Sequence, residues 1–140
     1  MKILYSASVT ATKGGRIGHV TSSDGQLSLN LAMPKALGGP GGEGTNPEQL
    51  FAAGYSACFH SALGLVARTK KISIKDYEVT AHVSIGEDSL GGFALETIMD
   101  VKIPEVASDV VKDLIESAHQ VCPYSKATRG NMNVTFHVIN

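Results

Sequence analysis

This 140-residue chain has no long run of Lys or Arg: its 12 Lys and Arg and 13 Asp and Glu leave a formal net charge of -1. Without a run of Lys or Arg there is no electrostatic footprint for a phosphate backbone, so no nucleic acid is expected as a partner. A continuous apolar h-region is also missing. Met1-Lys2-Ile3-Leu4-Tyr5-Ser6 passes straight into alternating polar and apolar residues, unlike a signal peptide, and a cytoplasmic location is expected. The most apolar stretch, Leu50 to Ala67, is interrupted by Ser56, His60 and Ser61 and is rich in Ala and Gly. That suits a buried helix, and no membrane segment is expected. Cysteine is scarce. Two residues are too few to staple a secreted domain, and cytosolic reductants keep idle thiols reduced, so any disulfide is transient.

Two further absences narrow the chemistry. None of the five histidines, His19, His60, His82, His119 and His137, pairs with another His or Cys at the short spacing of a zinc site. The glycine-rich loop Gly38-Gly39-Pro40-Gly41-Gly42-Glu43-Gly44 lacks the Gly-Lys-Ser or Gly-Lys-Thr ending of a phosphate-binding loop. Neither a metal nor a bound cofactor is expected, and the loop reads as a lid or a packed connector.

What is present is the material of one domain over residues 1–140, with a hydrophobic content of 43%. Ile3 to Thr12 reads as a strand, Gly14-Gly15 breaks it, and Arg16 to Thr21 resumes extended character. After the turn Ser22-Ser23-Asp24-Gly25, Leu27, Leu29 and Leu31 alternate at strand period, completing a three-stranded meander. Asn46-Pro47-Glu48-Gln49 is a helix start, with Asn46 at N-cap, Pro47 at N1 and Gln49 placed for a capping box. The helix runs to about Lys70, is apolar on nearly every side, and is expected to be central and enclosed. Tyr77–Ile85 and Phe93–Val101 read as a hairpin around Gly91-Gly92. A second helix carries Val110, Val111, Leu114, Ile115 and Ala118 and ends near Val121 before Pro123. Val134–Val138 closes the chain as a strand. Strands before and after helices, without βαβ alternation, make the class α+β.

Free cysteines usually act as small buried hydrophobes, but Cys58 has an unusual setting. It lies more than three turns into its helix, beyond the reach of the helix dipole, so a thiolate there needs another positive charge. A close guanidinium can favour the charged form by roughly one to three pKa units. Arg16 is one candidate, since Gly14-Gly15 lets the loop fold its side chain inward; Arg68 and Arg129 have comparable claims. Glu48 reads either as a carboxylate favoured by the helix N-terminus or as one that holds an arginine by a bidentate pair. Cys122, at a helix end before Pro123, suits a resolving thiol, which condenses with a sulfenic acid before over-oxidation.

Three segments carry a resemblance that spans nearly the whole chain: Gly14-Gly15-Arg16, the run from Gly44 to Phe59 (Gly-Thr-Asn-Pro-Glu-Gln-Leu-Phe-Ala-Ala-Gly-Tyr-Ser-Ala-Cys-Phe), and Val121-Cys122-Pro123-Tyr124-Ser125. They resemble the organic hydroperoxide resistance (Ohr) proteins of the OsmC superfamily, and Ala127-Thr128-Arg129-Gly130-Asn131 favours the Ohr branch. The resemblance implies an OsmC-like fold in an intertwined homodimer with sites at the subunit interface. It implies a thiol peroxidase acting on alkyl and lipid hydroperoxides: Cys58 is peroxidatic, Cys122 resolves it as a disulfide, Arg16 activates the thiolate, and Glu48 orients Arg16. It also implies a lipoylated protein or dihydrolipoamide as external reductant. Glu48 and Cys58 are ten residues apart on one expected helix, about 15 Å along its axis. Either the helix breaks near Gly54 or Glu48 serves the site of the partner subunit.

Two other readings compete. A cysteine hydrolase needs a base in contact with the thiol, and His60, two positions after Cys58, points to a different face of the helix. A non-enzymatic dimeric binding protein for lipid-like small molecules would use an apolar pocket lined by residues such as Phe51, Tyr55 and Phe59.

Overall fold

The computed structural model describes residues 1–140, which form two compact units, Met1–Leu50 and Phe51–Asn140. The first is the expected meander: β1 (Val9–Thr12), β2 (His19–Ser22) and β3 (Ser28–Asn30) pair antiparallel in the order β1-β2-β3. The first strand is shorter than the sequence pattern predicts. Its partner β2 has only four residues, so the ladder runs from Val9↔Ser22 to Thr12↔His19, and Met1–Ser8 is exposed without regular structure. Between β1 and β2 the chain makes a 3₁₀ turn at Gly15–Ile17 in place of the expected extended segment. Lys13, Gly14 and Gly15 enter that turn with φ of 62°, 104° and 60°, a left-handed run in which glycine carries no Cβ penalty. Gly18 leaves it under tighter constraint, for a Cβ there would stand 1.9 Å from the Thr12 carbonyl oxygen.

The glycine loop is a packed connector. Gly39 and Gly41 donate to the Pro34 and Met33 carbonyls, both at 3.0 Å, and Thr45 exchanges backbone bonds of 2.9 Å with Asn30 and Ala32. Helix α1 (Pro47–Thr69) then begins where expected. The Asn46 Oδ1 accepts the Gln49 N–H at 2.8 Å, satisfying one of the orphan donors of the first turn. The reciprocal half of the capping box is not made, because the Gln49 Oε1 accepts from the Thr45 hydroxyl at 2.8 Å instead.

In the second unit, α1 lays Tyr55, Phe59, Ala62, Leu63, Val66 and Ala67 into the core, a face at i, i+4 and i+7 spacing. The expected enclosure is one-sided within the chain: Ala53, Ala57, Ser61 and Leu65 on the opposite face are exposed. The helix is long and apolar enough by length and composition to cross a membrane, but its large side chains are the core of this unit. They pack on the hairpin β4 (Glu78–Glu87) and β5 (Phe93–Lys102) and on α2 (Ser108–Val121), where Met99, Val101, Val111, Leu114 and Ala118 meet them.

Two features depart from the sequence reading. Pro123 does not only stop α2; it occupies the first position of a further short helix, α3 (Pro123–Thr128), where its missing N–H costs nothing. The closing strand β6 (Asn133–Ile139) pairs parallel with β5, so β5–α2–α3–β6 is a βαβ crossover inside an α+β chain. A parallel neighbour requires such a crossover because its strands cannot be joined by a tight turn.

Candidate functional site

Arg16 and Glu48 meet in the first unit. The Arg16 Nη1 donates to Glu48 Oε2 at 3.0 Å and its Nη2 to Oε1 at 2.7 Å, the planar fork-to-fork geometry that fixes a guanidinium in orientation as well as in place. Side-chain exposure is 36% for Arg16 and 13% for Glu48, so the carboxylate is the sheltered partner and the guanidinium keeps an open side. The hydrogen bond to Arg16 holds the Glu48 carboxyl below its ordinary range against the opposing effect of burial. The same bond holds the guanidinium firmly protonated. Of the three arginines, only this one is carried by a carboxylate. Arg68 is exposed in the last turn of α1, and Arg129 donates to the His119 carbonyl.

Cys58 and Cys122 meet in the second unit. Both are free thiols; Cys58 is half-buried and Cys122 fully buried. Cys122 is the hinge between α2 and α3, the C-cap of one and the N-cap of the other, with extended ψ of 122°. Burial pushes the Cys58 thiol up; the Cys122 thiol adds to this through a side-chain hydrogen bond and through charge repulsion, while the Tyr124 backbone N–H pulls the other way. None of the groups acting on Cys58 from residues 51–140 is cationic.

The aromatic residues expected to line a pocket are placed otherwise. Tyr55 and Phe59 are completely buried core side chains, because they fall on the same helix face as Leu63 and Val66. Phe51 is half-buried, edge-on to Tyr55 with centroids 6.2 Å apart and to Tyr124 at 6.3 Å. His60 is occupied too, stacked on Tyr77 at 4.0 Å with its Nε2 3.0 Å from the Tyr77 carbonyl.

Several residues beside the cysteines were not legible as a group. Tyr124 packs over Gly54, where a Cβ would stand 2.5 Å from its hydroxyl. The buried Tyr55 hydroxyl pairs with Ser125 Oγ at 2.9 Å. Their only sequence signal was their place inside the quoted motifs. His82 and His137, far apart in sequence, flank Asp100 at 2.8 Å and 3.2 Å, an arrangement created by the β4-β5-β6 register.

The fold agrees with what comparison finds. Residues 39–137 match the family of OsmC-like proteins. The chain is 48% identical over 135 residues to an organic hydroperoxide resistance protein of Xanthomonas axonopodis pv. citri, covering 96% of this chain and 94% of the relative. Among solved structures, one of an organic hydroperoxide resistance protein from Elizabethkingia anophelis superposes with a TM-score of 0.94 at 53% identity, covering 100% of this chain and 99% of that one. The OhrB structure of Bacillus subtilis gives 0.89 at 46%, covering 98% and 100%. The chain belongs to the OsmC-like family, in its organic hydroperoxide resistance branch.

Proposed function

We propose that this protein is a thiol peroxidase that reduces organic hydroperoxides to alcohols. The observation that carries the reading is the pairing of two free cysteines, one reachable and one buried, in a chain whose relatives are named for organic hydroperoxide resistance. The Cys58 thiolate attacks the outer peroxide oxygen, the O–O bond breaks, and the alkoxide takes a proton to leave as alcohol. Cys58 is then a sulfenic acid. The Cys122 thiol condenses with it, water leaves, and a Cys58–Cys122 disulfide forms. An external dithiol of the dihydrolipoyl class restores both thiols as it is oxidised to its own disulfide.

Activation of Cys58 is assigned to a homodimer, in which the partner subunit's Arg16, braced by the partner subunit's Glu48, faces the sulfur. Two observations support this. Helix α1 runs unbroken from Pro47 to Thr69, which favours the partner subunit over a break near Gly54. The Ala53, Ala57, Ser61 and Leu65 face of α1 is made of small and apolar residues and is exposed in the single chain, as a helix awaiting a second copy would be.

One equivalent of an organic hydroperoxide added to the reduced protein, followed by mass spectrometry without reductant, tests the chemistry. Loss of two hydrogens with a Cys58–Cys122 link is expected; an unreacted thiol pair refutes it. Mixed dimers of a Cys58→Ser chain and a Glu48→Ala chain test the assembly. Acting across the interface, they regenerate one intact site and exceed both parents, whereas acting within one chain they do not.

A further inference from the structure

We infer that Gly54 and Tyr124 are positioning residues that set how closely Cys122 approaches Cys58, and so decide whether the Cys58 sulfenic acid is captured as a disulfide or over-oxidised. The inference rests on the peroxidase reading above and adds to it a determinant of the resolving step.

Gly54 and Cys58 are separated by one turn of α1 and share a face of it. Opposite them, the segment Cys122-Pro123-Tyr124-Ser125 crosses from α2 into α3. It is tied to α1 at two points: the Tyr124 ring over Gly54, and Ser125 Oγ to the buried Tyr55 hydroxyl at 2.9 Å. Between the ties and Cys122 stands Pro123, whose ring locks φ, so displacement of Tyr124 is passed to Cys122 with little slack.

Only glycine permits this contact. A Cβ at position 54 would lie 2.5 Å from the Tyr124 hydroxyl oxygen, 3.0 Å from Cζ and 3.2 Å from Cε2, so a methyl group forces the ring back by roughly 1 Å to reach ordinary van der Waals separation. The ring has neighbours on two sides, Phe51 at 6.3 Å and Tyr55 at 5.7 Å between centroids. Swinging it into solvent gives up both. Retreat of the whole segment by roughly 1 Å lengthens both contacts without losing them and withdraws Cys122. A disulfide demands specific sulfur and Cα separations, and a misplacement of about 1 Å can slow a positioned reaction by roughly 100-fold. The sulfenic acid then meets a second hydroperoxide first: Cys58–SOH and ROOH give Cys58–SO₂H and ROH, which this protein's own thiols cannot reverse.

The test compares wild type, Gly54→Ala, Tyr124→Phe and the double variant, each reduced and then exposed to one equivalent and to a large excess of cumene hydroperoxide. Mass spectrometry reads the ratio of disulfide to Cys58 sulfinic acid. Wild type is expected to give disulfide with one equivalent. In excess, Gly54→Ala should lower the ratio by about tenfold or more. Tyr124→Phe should stay near wild type. The double variant, which lacks the oxygen nearest the added methyl, should recover most of the ratio, a rescue that general destabilisation would not produce. If Gly54→Ala does not fold, Tyr124→Trp presses the same contact from the other side with the same expected fall. A folded variant of either kind that partitions like wild type overturns the inference and leaves the peroxidase reading standing. A wild type whose Cys58 is never oxidised overturns both.

Discussion

Arg16 and Glu48, 32 positions apart, hold each other by two parallel hydrogen bonds of 3.0 Å and 2.7 Å. The pair makes the guanidinium a fixed directional charge, because rotation about its stem breaks at least one bond. Glu48→Gln keeps the shape and one acceptor but replaces the other with a donor facing a donor. If the braced guanidinium activates Cys58, kcat/KM for an organic hydroperoxide should fall about 10- to 100-fold in Glu48→Gln and at least as far in Glu48→Ala. The melting temperature should move little, since an ion pair with one partner more than a third exposed contributes on the order of 1 kcal/mol or less. Equal activity in all three proteins would leave Glu48 a helix N-terminal carboxylate with no part in the reaction.

The same pair sets an acid limit. Arg16 lowers the Glu48 pKa from an ordinary 4.5, so the unfolded chain takes up the Glu48 proton before the folded chain does. Stability from the pair is complete above about pH 4.5 and is lost as pH falls through the lower folded value. The difference in unfolding free energy between wild type and Glu48→Gln should therefore be constant from neutral pH to about 4.5 and shrink below it. A difference that grows on acidification contradicts the assignment.

Gly18 holds the Arg16 turn to its strands. A Cβ there would lie 1.9 Å from the Thr12 carbonyl oxygen and 2.9 Å from the Lys13 carbonyl, both backbone atoms that cannot rotate away. The Gly18 carbonyl also accepts the Leu31 N–H at 2.9 Å. Gly18→Ala should cost on the order of 3 kcal/mol in urea unfolding and cut peroxidase activity by displacing Arg16, while Gly25→Ala, with nothing near its Cβ position, should act only through its positive φ and leave activity intact.

Much of this was readable from local chemistry. Asn46-Pro47 announced α1 because capping depends on neighbouring residues alone, and Gly91-Gly92 announced the β4–β5 turn for the same reason. The candidate residues Arg16, Glu48, Cys58 and Cys122 were assigned through resemblance; residue types and spacing left three arginines in contention, of which Arg16 is the one held by a carboxylate. What stayed hidden depended on contacts distant in sequence. Pro123 reads as a stop from its own covalent geometry, and only the turn of chain at Cys122 makes it a start. The parallel pairing of β6 with β5 has no local signature. Tyr55 and Phe59 look like pocket residues until the helix face they share with Leu63 and Val66 is known to be core.

Cys122 raises the Cys58 pKa by two routes, a hydrogen bond to the thiol form and repulsion between thiolates. Cys122→Ala removes both, so Cys58 should ionise at lower pH than in wild type, as read by ultraviolet thiolate absorbance across a pH titration; burial, the larger upward influence, remains. Cys122→Ser, which can still hydrogen bond, should show a smaller fall. Both variants should form no intramolecular disulfide with hydroperoxide. An unchanged Cys58 titration in Cys122→Ala would mean that the two sulfurs do not interact in solution.

Thr97 occupies the centre of β5, only 1% exposed, and its hydroxyl has no hydrogen-bond partner in the chain. Its lateral neighbours in the sheet are Val83 on β4 and Val134 on β6, neither of which can accept or donate through its side chain. A buried hydroxyl without a partner costs about 1–3 kcal/mol, whereas valine has nearly the same shape, no polar atom and a preference for strands. Thr97→Val should therefore stabilise the protein by about 1 kcal/mol or more, measured as a rise in the urea midpoint with an unchanged slope. Because β5 carries no residue of either functional pair, disulfide formation with hydroperoxide should proceed as in wild type. A destabilised Thr97→Val would show that the hydroxyl is hydrogen bonded in solution, and a stable variant with impaired disulfide formation would connect this buried oxygen to the cysteines packed on the same core.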